Sequence, residues 1–167
     1  MARLFSRGLL TALSLALAPC LLSSASVSAA SSAAAAQPQH HQVQHERAAL
    51  LAFKASGGAA NVAPLESWTA NGTAPCGGAG GAPWAGVSCS GGPNVTALDL
   101  GTTRGHYEFE NVAGDIGALA PLVQLTRLVL NGCFGVGGQV GDLAPLVGLT
   151  TLDLSAIAAV AGDIESL

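Results

Sequence analysis

Residues 117–130 read GALAPLVQLTRLVL, and residues 141–154 read GDLAPLVGLTTLDL. The two segments share ten of fourteen residues at an offset of 24 positions, and the same offset relates the short motifs at 114–116, 138–140 and 162–164. A period of this length is typical of proteins built from stacked supersecondary units. The sequence therefore predicts a repeated fold in which each unit packs against its neighbours.

The leucines that close each repeat predict its secondary structure. Leu128-Val-Leu130 and Leu152-Asp-Leu154 alternate with a period of two, which is typical of short β-strands that pair in parallel at about 4.8 Å. Each return segment contains a proline, which disfavours a regular helix and predicts loops or short 3₁₀ turns. We expect about two and a half such repeats over residues 94–167, incomplete at the C-terminal end.

The first repeat contains six additional residues within residues 101–113, GTTRGHYEFENVA. This insertion concentrates charged and aromatic side chains, including Arg104, Tyr107 and Phe109. One interpretation is a solvated loop. The other is a binding protrusion, since loops carry function and exposed aromatic residues favour recognition.

The N-terminal residues resemble a targeting segment. Basic residues precede an apolar run that is followed by small residues, which predicts a signal peptide over residues 1–29; an uncleaved membrane anchor is the alternative. Residues 30–45 have low complexity and no apolar period, which predicts a disordered linker. His41 and His45 lie four positions apart, but no carboxylate or cysteine accompanies them before Glu46, so we predict no metal site.

Composition narrows the function classes. Charged residues make up 10% of the 167-residue chain, against about 25% in typical globular proteins. Lys plus Arg number 6 against 10 Asp plus Glu, with no basic run, which disfavours nucleic-acid binding. The predicted signal peptide, with no transmembrane segment expected after its cleavage, indicates a secreted or cell-surface protein. In such a protein the sequons at Asn71 and Asn94 are candidates for glycosylation.

Residues 46–93 contain the motifs of a cap for the first repeat. ERAALLAFKAS at residues 46–56 has helical apolar spacing, and a Gly-rich loop lies between Cys76 and Cys89. Together with Leu65-Glu-Ser-Trp68, Trp84-Ala-Gly-Val-Ser-Cys89 and Val95-Thr-Ala-Leu-Asp-Leu100, these motifs resemble the N-terminal cap and first repeat of plant-type leucine-rich-repeat proteins.

The resemblance implies an α/β leucine-rich-repeat solenoid. Parallel strands would form its concave face, loops and 3₁₀ turns its convex face, and a helical cap would close its N-terminal end. It further implies that Cys76 pairs with Cys89 and that both tryptophans pack beneath the first repeat. Cys133 stands at a position where such repeats place Asn or Cys, which predicts a buried structural thiol.

The residues that flank the inward leucines are the predicted binding surface. They differ between two otherwise similar repeats. A recognition surface requires such differences, but unconstrained solvent-exposed positions would also show them. The candidates are Asp99, Arg127, Val129, Asn131, Thr151, Asp153 and Ser155.

These observations predict a non-catalytic extracellular recognition module without a cofactor, which binds a protein or peptide through its concave face. The alternatives are a secreted inhibitor of cell-wall hydrolases, as the resembling family includes, or a truncated receptor fragment without independent function. Because Leu167 is an inward position of an unfinished repeat, we also expect self-association there or a longer natural chain.

Overall fold

The computed structural model of the chain describes residues 27–72, 74–78, 80–102, 108–163 and 165. It divides into two units, Met1–Ala34 and Ala35–Leu167. The described part of the first unit is helical, and every described strand belongs to the second. Residues 1–26, which make up most of the predicted signal peptide, lie outside the described residues.

Helix α1 comprises Val27–Ser56. Its C-terminal part was expected from the apolar spacing at residues 46–56, but it also includes residues 30–45, where the sequence predicted a disordered linker. The structure corrects that expectation. The physical reason is the run of four alanines at residues 33–36, because alanine has the highest intrinsic helix propensity.

Short strands follow the helix in the second unit. In chain order they are β1 (Val87–Ser88), β2 (Ala97–Asp99), β3 (Ala113–Asp115), β4 (Arg127–Val129), β5 (Gly135–Gln139), β6 (Thr151–Asp153) and β7 (Ala159–Ala161). They form two sheets, one ordered β1-β2-β4-β6 and the other β3-β5-β7.

The first sheet confirms the strand prediction made from the leucines. Strands β2, β4 and β6 pair in parallel, and their register places Leu98 beside Leu128 and Leu128 beside Leu152. Leu98 and Leu128 are fully buried, and Leu152 is partly buried against the same core. The recurring leucines therefore form one apolar column across the sheet.

The second sheet was not predicted. Strands β3, β5 and β7 pair in parallel where the sequence indicated loops or 3₁₀ turns. The 3₁₀ turns are also present, at Ile116–Leu119 and Val140–Leu143. Val112, Val136 and Val160 recur at the same offset of 24 residues: Val112 directly precedes β3, and the other two lie within β5 and β7. Val136 is buried. The second sheet escaped prediction because glycines and alanines dominate its strands and leave no alternating apolar pattern.

The cap residues contribute side chains to the same core. Phe53, Trp68 and Trp84 are all buried. The two indole rings stack at a centroid distance of 5.8 Å, and Phe53 lies 6.3 Å from Trp68. The disulfide between Cys76 and Cys89 is present, as the resemblance implied.

Basic side chains of α1 connect the helix to the segment that follows it. The Nζ atom of Lys54 donates to the carbonyl oxygens of Leu65 at 2.7 Å and Trp68 at 2.9 Å. Arg47 donates to the carbonyl oxygens of Thr69 and Ala70. These hydrogen bonds fix the segment at residues 65–70 against the helix.

The cap also covers the first strand of each sheet. Strand β1 pairs antiparallel with β2 and occupies the exposed edge of the first sheet. At the second sheet, the amide of Asn61 replaces a neighbouring strand: its Oδ1 accepts from the Ala113 amide at 2.9 Å and its Nδ2 donates to the Ala113 carbonyl at 2.6 Å. The Ser56 hydroxyl accepts from the Asp115 amide at 2.9 Å. The cap thereby covers one edge of each sheet, the edge at β2 and the edge at β3.

Candidate functional site

The candidate site is the face of the first sheet opposite the leucine column, which we call the outer face. Strand alternation sends Leu98, Leu128 and Leu152 into the core and their sequence neighbours to the outer face. The register groups those neighbours into two rows across the sheet. The first row is Ala97, Arg127 and Thr151, and the second is Asp99, Val129 and Asp153.

The outer face carries charges of both signs. Nη2 of Arg127 donates to Oδ2 of Asp99 at 3.2 Å, and both side chains are about half exposed, at 48% and 49%. An ion pair this exposed contributes about 1 kcal/mol or less to stability. Arg127 can therefore exchange Asp99 for another anionic group at little energetic cost.

The two aspartates of the outer face are also part of the backbone structure. Oδ1 of Asp153 accepts hydrogen bonds from the Ser155 amide at 3.0 Å and its hydroxyl at 2.7 Å, and the Asp99 carboxylate accepts from the Gly101 amide at 3.2 Å. The hydrogen bonds from Ser155 lower the pKa of Asp153, so this carboxylate stays ionised at neutral pH. Each aspartate ends its strand in a turn held by its own side chain.

Val129 differs from its predicted role. The sequence placed it among the binding residues, but it is only 6% exposed. It lies in register between Asp99 and Asp153, and the backbone of Gly101 lies close to it: a Cβ added to Gly101 would be 2.7 Å from Cγ1 of Val129. Val129 thus lies buried between the two carboxylates and offers little surface to a ligand.

The remaining predicted binding residues are distributed along the end of the sheet. Asn131 is half-buried, and its carbonyl oxygen accepts from the Thr102 amide at 2.9 Å. Thr151 is half-buried, whereas Ser155 is exposed beside Asp153. The structure therefore brings Arg127, Thr151 and the two aspartates together, while Asn131 continues the hydrogen-bond ladder beyond the strands.

The insertion loop is described only in part. Arg104 and Tyr107 lie outside the described residues. Phe109 is half-buried and packs against the core, and together with Ala63, Pro64, Ala85, Glu108 and Asn111 it lines a surface cleft. This aromatic side chain contributes to packing as well as to the surface.

Cys133 is fully buried and unpaired, as predicted for a structural thiol. Its Sγ donates to the Leu100 carbonyl at 3.0 Å. Burial, with the negative charge of Asp99 as a smaller cause, raises the pKa of the Cys133 thiol to about 12. The protonated thiol is neither a nucleophile nor a metal ligand at neutral pH.

The two sequons lie in different surroundings. Asn71 is exposed, although Thr73 of its sequon lies outside the described residues. Asn94 is half-buried next to strand β2, and its Oδ1 is buried without a hydrogen-bond partner among the described residues. The hydroxyl of Thr96, in the same sequon, lies 3.0 Å from the Ser90 hydroxyl. Whether either asparagine carries a glycan stays a prediction.

Comparison with known proteins bears on the cap. Residues 43–90 match the family model described as the leucine rich repeat N-terminal domain. This segment is similar to a leucine-rich-repeat cap. It contains the disulfide and both stacked tryptophans, and a domain of this kind indicates a protein-interaction module. A comparison with curated proteins returned no match.

Two features of the described residues bear on the location of the protein. The disulfide and the similarity to a leucine-rich-repeat cap are compatible with an extracellular location. Among the described residues, none of the helices combines the length and the apolar character that a membrane span requires.

Proposed function

We propose that this chain is a non-catalytic extracellular recognition module of the leucine-rich-repeat type, and that it binds a protein or peptide through the outer face. In this proposal residues 94–167 form a short solenoid, the outer face is its concave surface, and residues 46–93 close its N-terminal end. The plant-type resemblance of the cap motifs and the similarity of residues 43–90 to a leucine-rich-repeat cap support this assignment.

The observation that carries the proposal is the contrast between frame and surface. Two repeats with ten identical residues of fourteen differ at four positions. Two of those four fall on the strands of the outer face, where Arg127 lies beside Thr151 and the buried Val129 lies beside the half-buried Asp153. A constant apolar frame with different side chains at equivalent surface positions supports a recognition role.

The chemistry of the outer face supports a binding role without catalysis. Asp99 and Asp153 are two strands apart, or about 10 Å at the usual strand spacing. Hydrogen bonds within turns occupy both carboxylates, and those to Asp153 hold its pKa low. A general acid needs the opposite shift, which comes from burial in an apolar pocket.

A peptide-display selection on the immobilised chain tests the binding surface. Clones that bind the unaltered chain would be measured again on Asp153→Arg and on a control, Asp142→Arg. Both substitutions reverse one negative charge, but Asp142 lies exposed on a 3₁₀ turn, away from the first sheet. We expect Asp153→Arg to weaken binding at least about tenfold and the control to change it less than about twofold.

Two results would contradict the proposal. One is a selection that yields no specific binders, and the other is equal weakening of the selected peptides by both variants. Circular dichroism of each variant would show whether lost binding reflects lost folding.

The extracellular part of the proposal has its own test. Expression of the full chain in a eukaryotic secretory host should release protein that begins near residue 30, with Cys76 and Cys89 oxidised. N-terminal sequencing and mass spectrometry before and after glycosidase treatment would establish the cleavage position and the occupancy of Asn71 and Asn94. Retention of the intact chain inside the cell would contradict secretion.

A further inference from the structure

Helix α1 places two histidines on one solvent-facing strip. His41 and His45 lie one turn apart, and both are exposed. Residues four apart on a helix are surface neighbours, with Cβ atoms about 5–6 Å apart. Together with Gln44 and Ala48, the two histidines line a shallow surface depression. Neither imidazole has a hydrogen bond or an ion pair within the described part of the chain.

The opposite side of the same turn is anchored in the protein. Glu46 is fully buried, and its Oε2 accepts from the Val95 amide at 2.9 Å. Its Oε1 accepts from Gln42 at 3.3 Å. One turn further, Leu50 is fully buried in the core. The backbone that carries the histidines is therefore already ordered, so a ligand that bridges them does not need to form the helix first.

Neutral imidazole is the commonest protein ligand for transition metals, and two histidines at this helical spacing can hold one ion from the same side. We propose that His41 and His45 form a two-histidine chelate for a divalent first-row transition ion such as Zn²⁺ or Cu²⁺. A disordered linker, as predicted from the sequence, would not hold these two side chains close together, whereas a helix does.

The site differs from a closed structural metal centre. Among the described residues, no three His, Cys, Asp or Glu side chains converge to hold an ion. Glu46 is close in sequence but buried on the other side of the helix, where it binds the Val95 amide. Water must therefore fill the remaining coordination positions, and the ion exchanges with solvent. This inference is independent of the proposed recognition function.

His40 is an internal control. It is exposed like the pair, but it stands one position from His41 and five from His45, spacings at which residues on a helix do not face each other. Isothermal titration with Zn²⁺ would compare the chain, purified without a polyhistidine tag, with His41→Ala, His45→Ala and His40→Ala. All three positions are exposed, so none of the substitutions should disturb the core, and far-UV circular dichroism would verify that.

We expect one Zn²⁺ per chain, an affinity at least about tenfold lower in His41→Ala and in His45→Ala, and a change below about twofold in His40→Ala. Cu²⁺ should displace Zn²⁺, in line with the usual order of stability for nitrogen ligands, and Mg²⁺ should not bind, because it prefers oxygen ligands. Absence of saturable Zn²⁺ binding would overturn the inference. Equal loss in His40→Ala and His41→Ala, or uptake that persists in the double His41→Ala/His45→Ala variant, would overturn it as well.

Discussion

The side-chain amide of Asn61 is the most consequential polar contact between the cap and the strands. It is fully buried and makes three hydrogen bonds: with the Lys54 carbonyl at 2.9 Å, the Ala113 carbonyl at 2.6 Å and the Ala113 amide at 2.9 Å. The backbone of Gly57 also lies close to Ala113, since a Cβ added at Gly57 would overlap the Ala113 carbonyl oxygen. The substitution Asn61→Ala removes all three bonds and leaves both peptide groups of Ala113 without this partner.

The expected loss of unfolding free energy follows from the number of hydrogen bonds removed. Each intramolecular hydrogen bond contributes about 0.5–1.5 kcal/mol net, so three bonds correspond to about 3 kcal/mol. With a urea dependence of about 1.5–2 kcal/mol per molar, that loss lowers the unfolding midpoint by about 1.5–2 M. Ser56→Ala removes two hydrogen bonds, the one from the Asp115 amide and the one to the Phe53 carbonyl, and should cost about 2 kcal/mol.

Urea unfolding followed by tryptophan fluorescence provides the assay, because Trp68 and Trp84 are buried in the cap and the disulfide stays intact in urea. Asn111→Ala is a matched control, since Asn111 is exposed and should tolerate the change within about 0.5 kcal/mol. If Asn61→Ala costs no more than Asn111→Ala, Asn61 does not substitute for a strand at the sheet edge and the reasoning fails.

Four further predictions concern three buried groups. Burial raises the pKa of Glu46, although the hydrogen bond from the Val95 amide opposes the shift. The contribution of Glu46 to stability should therefore decline as pH rises through the pKa of the folded state. Glu46→Gln should remove that decline, which urea midpoints measured across pH would show. The Cys133 thiol, with its pKa raised to about 12, should not react with a disulfide reagent at pH 8 until the chain unfolds; rapid labelling of the native protein would contradict its burial. Between the ordinary thiol pKa of 9.0 and the raised pKa of about 12, the free energy of unfolding should fall as pH rises. Leu128→Ala should cost about 2–5 kcal/mol in urea unfolding, whereas the exposed Val147→Ala should cost less than about 0.5 kcal/mol.

The candidate site shows where sequence reasoning succeeds and where it fails. Alternation about Leu128 was enough to predict that Arg127 and Thr151 lie side by side on the sheet surface. The same alternation placed Val129 on that surface but could not show that it is only 6% exposed. Its burial depends on the turn at Gly101, a segment of a different repeat 28 residues earlier in the chain.

Asn61 illustrates a second kind of failure. It stands outside the periodic leucines and outside the cap motifs, so no local pattern distinguishes it from a solvated asparagine. Its partner Ala113 is 52 positions away in the chain. Only the docking of the cap against strand β3 makes this amide a structural element.

The sequence by itself determined the parallel register of the first sheet, the burial of Cys133 and the general form of the cap. Those features follow from short-range periodicity and from motifs whose spacing is visible along the chain. The tertiary structure decided the second sheet and the pairing of Asn61 with a distant strand. Strands made of glycine and alanine carry no hydrophobic signal, and a backbone group finds its partner only after distant segments have packed together.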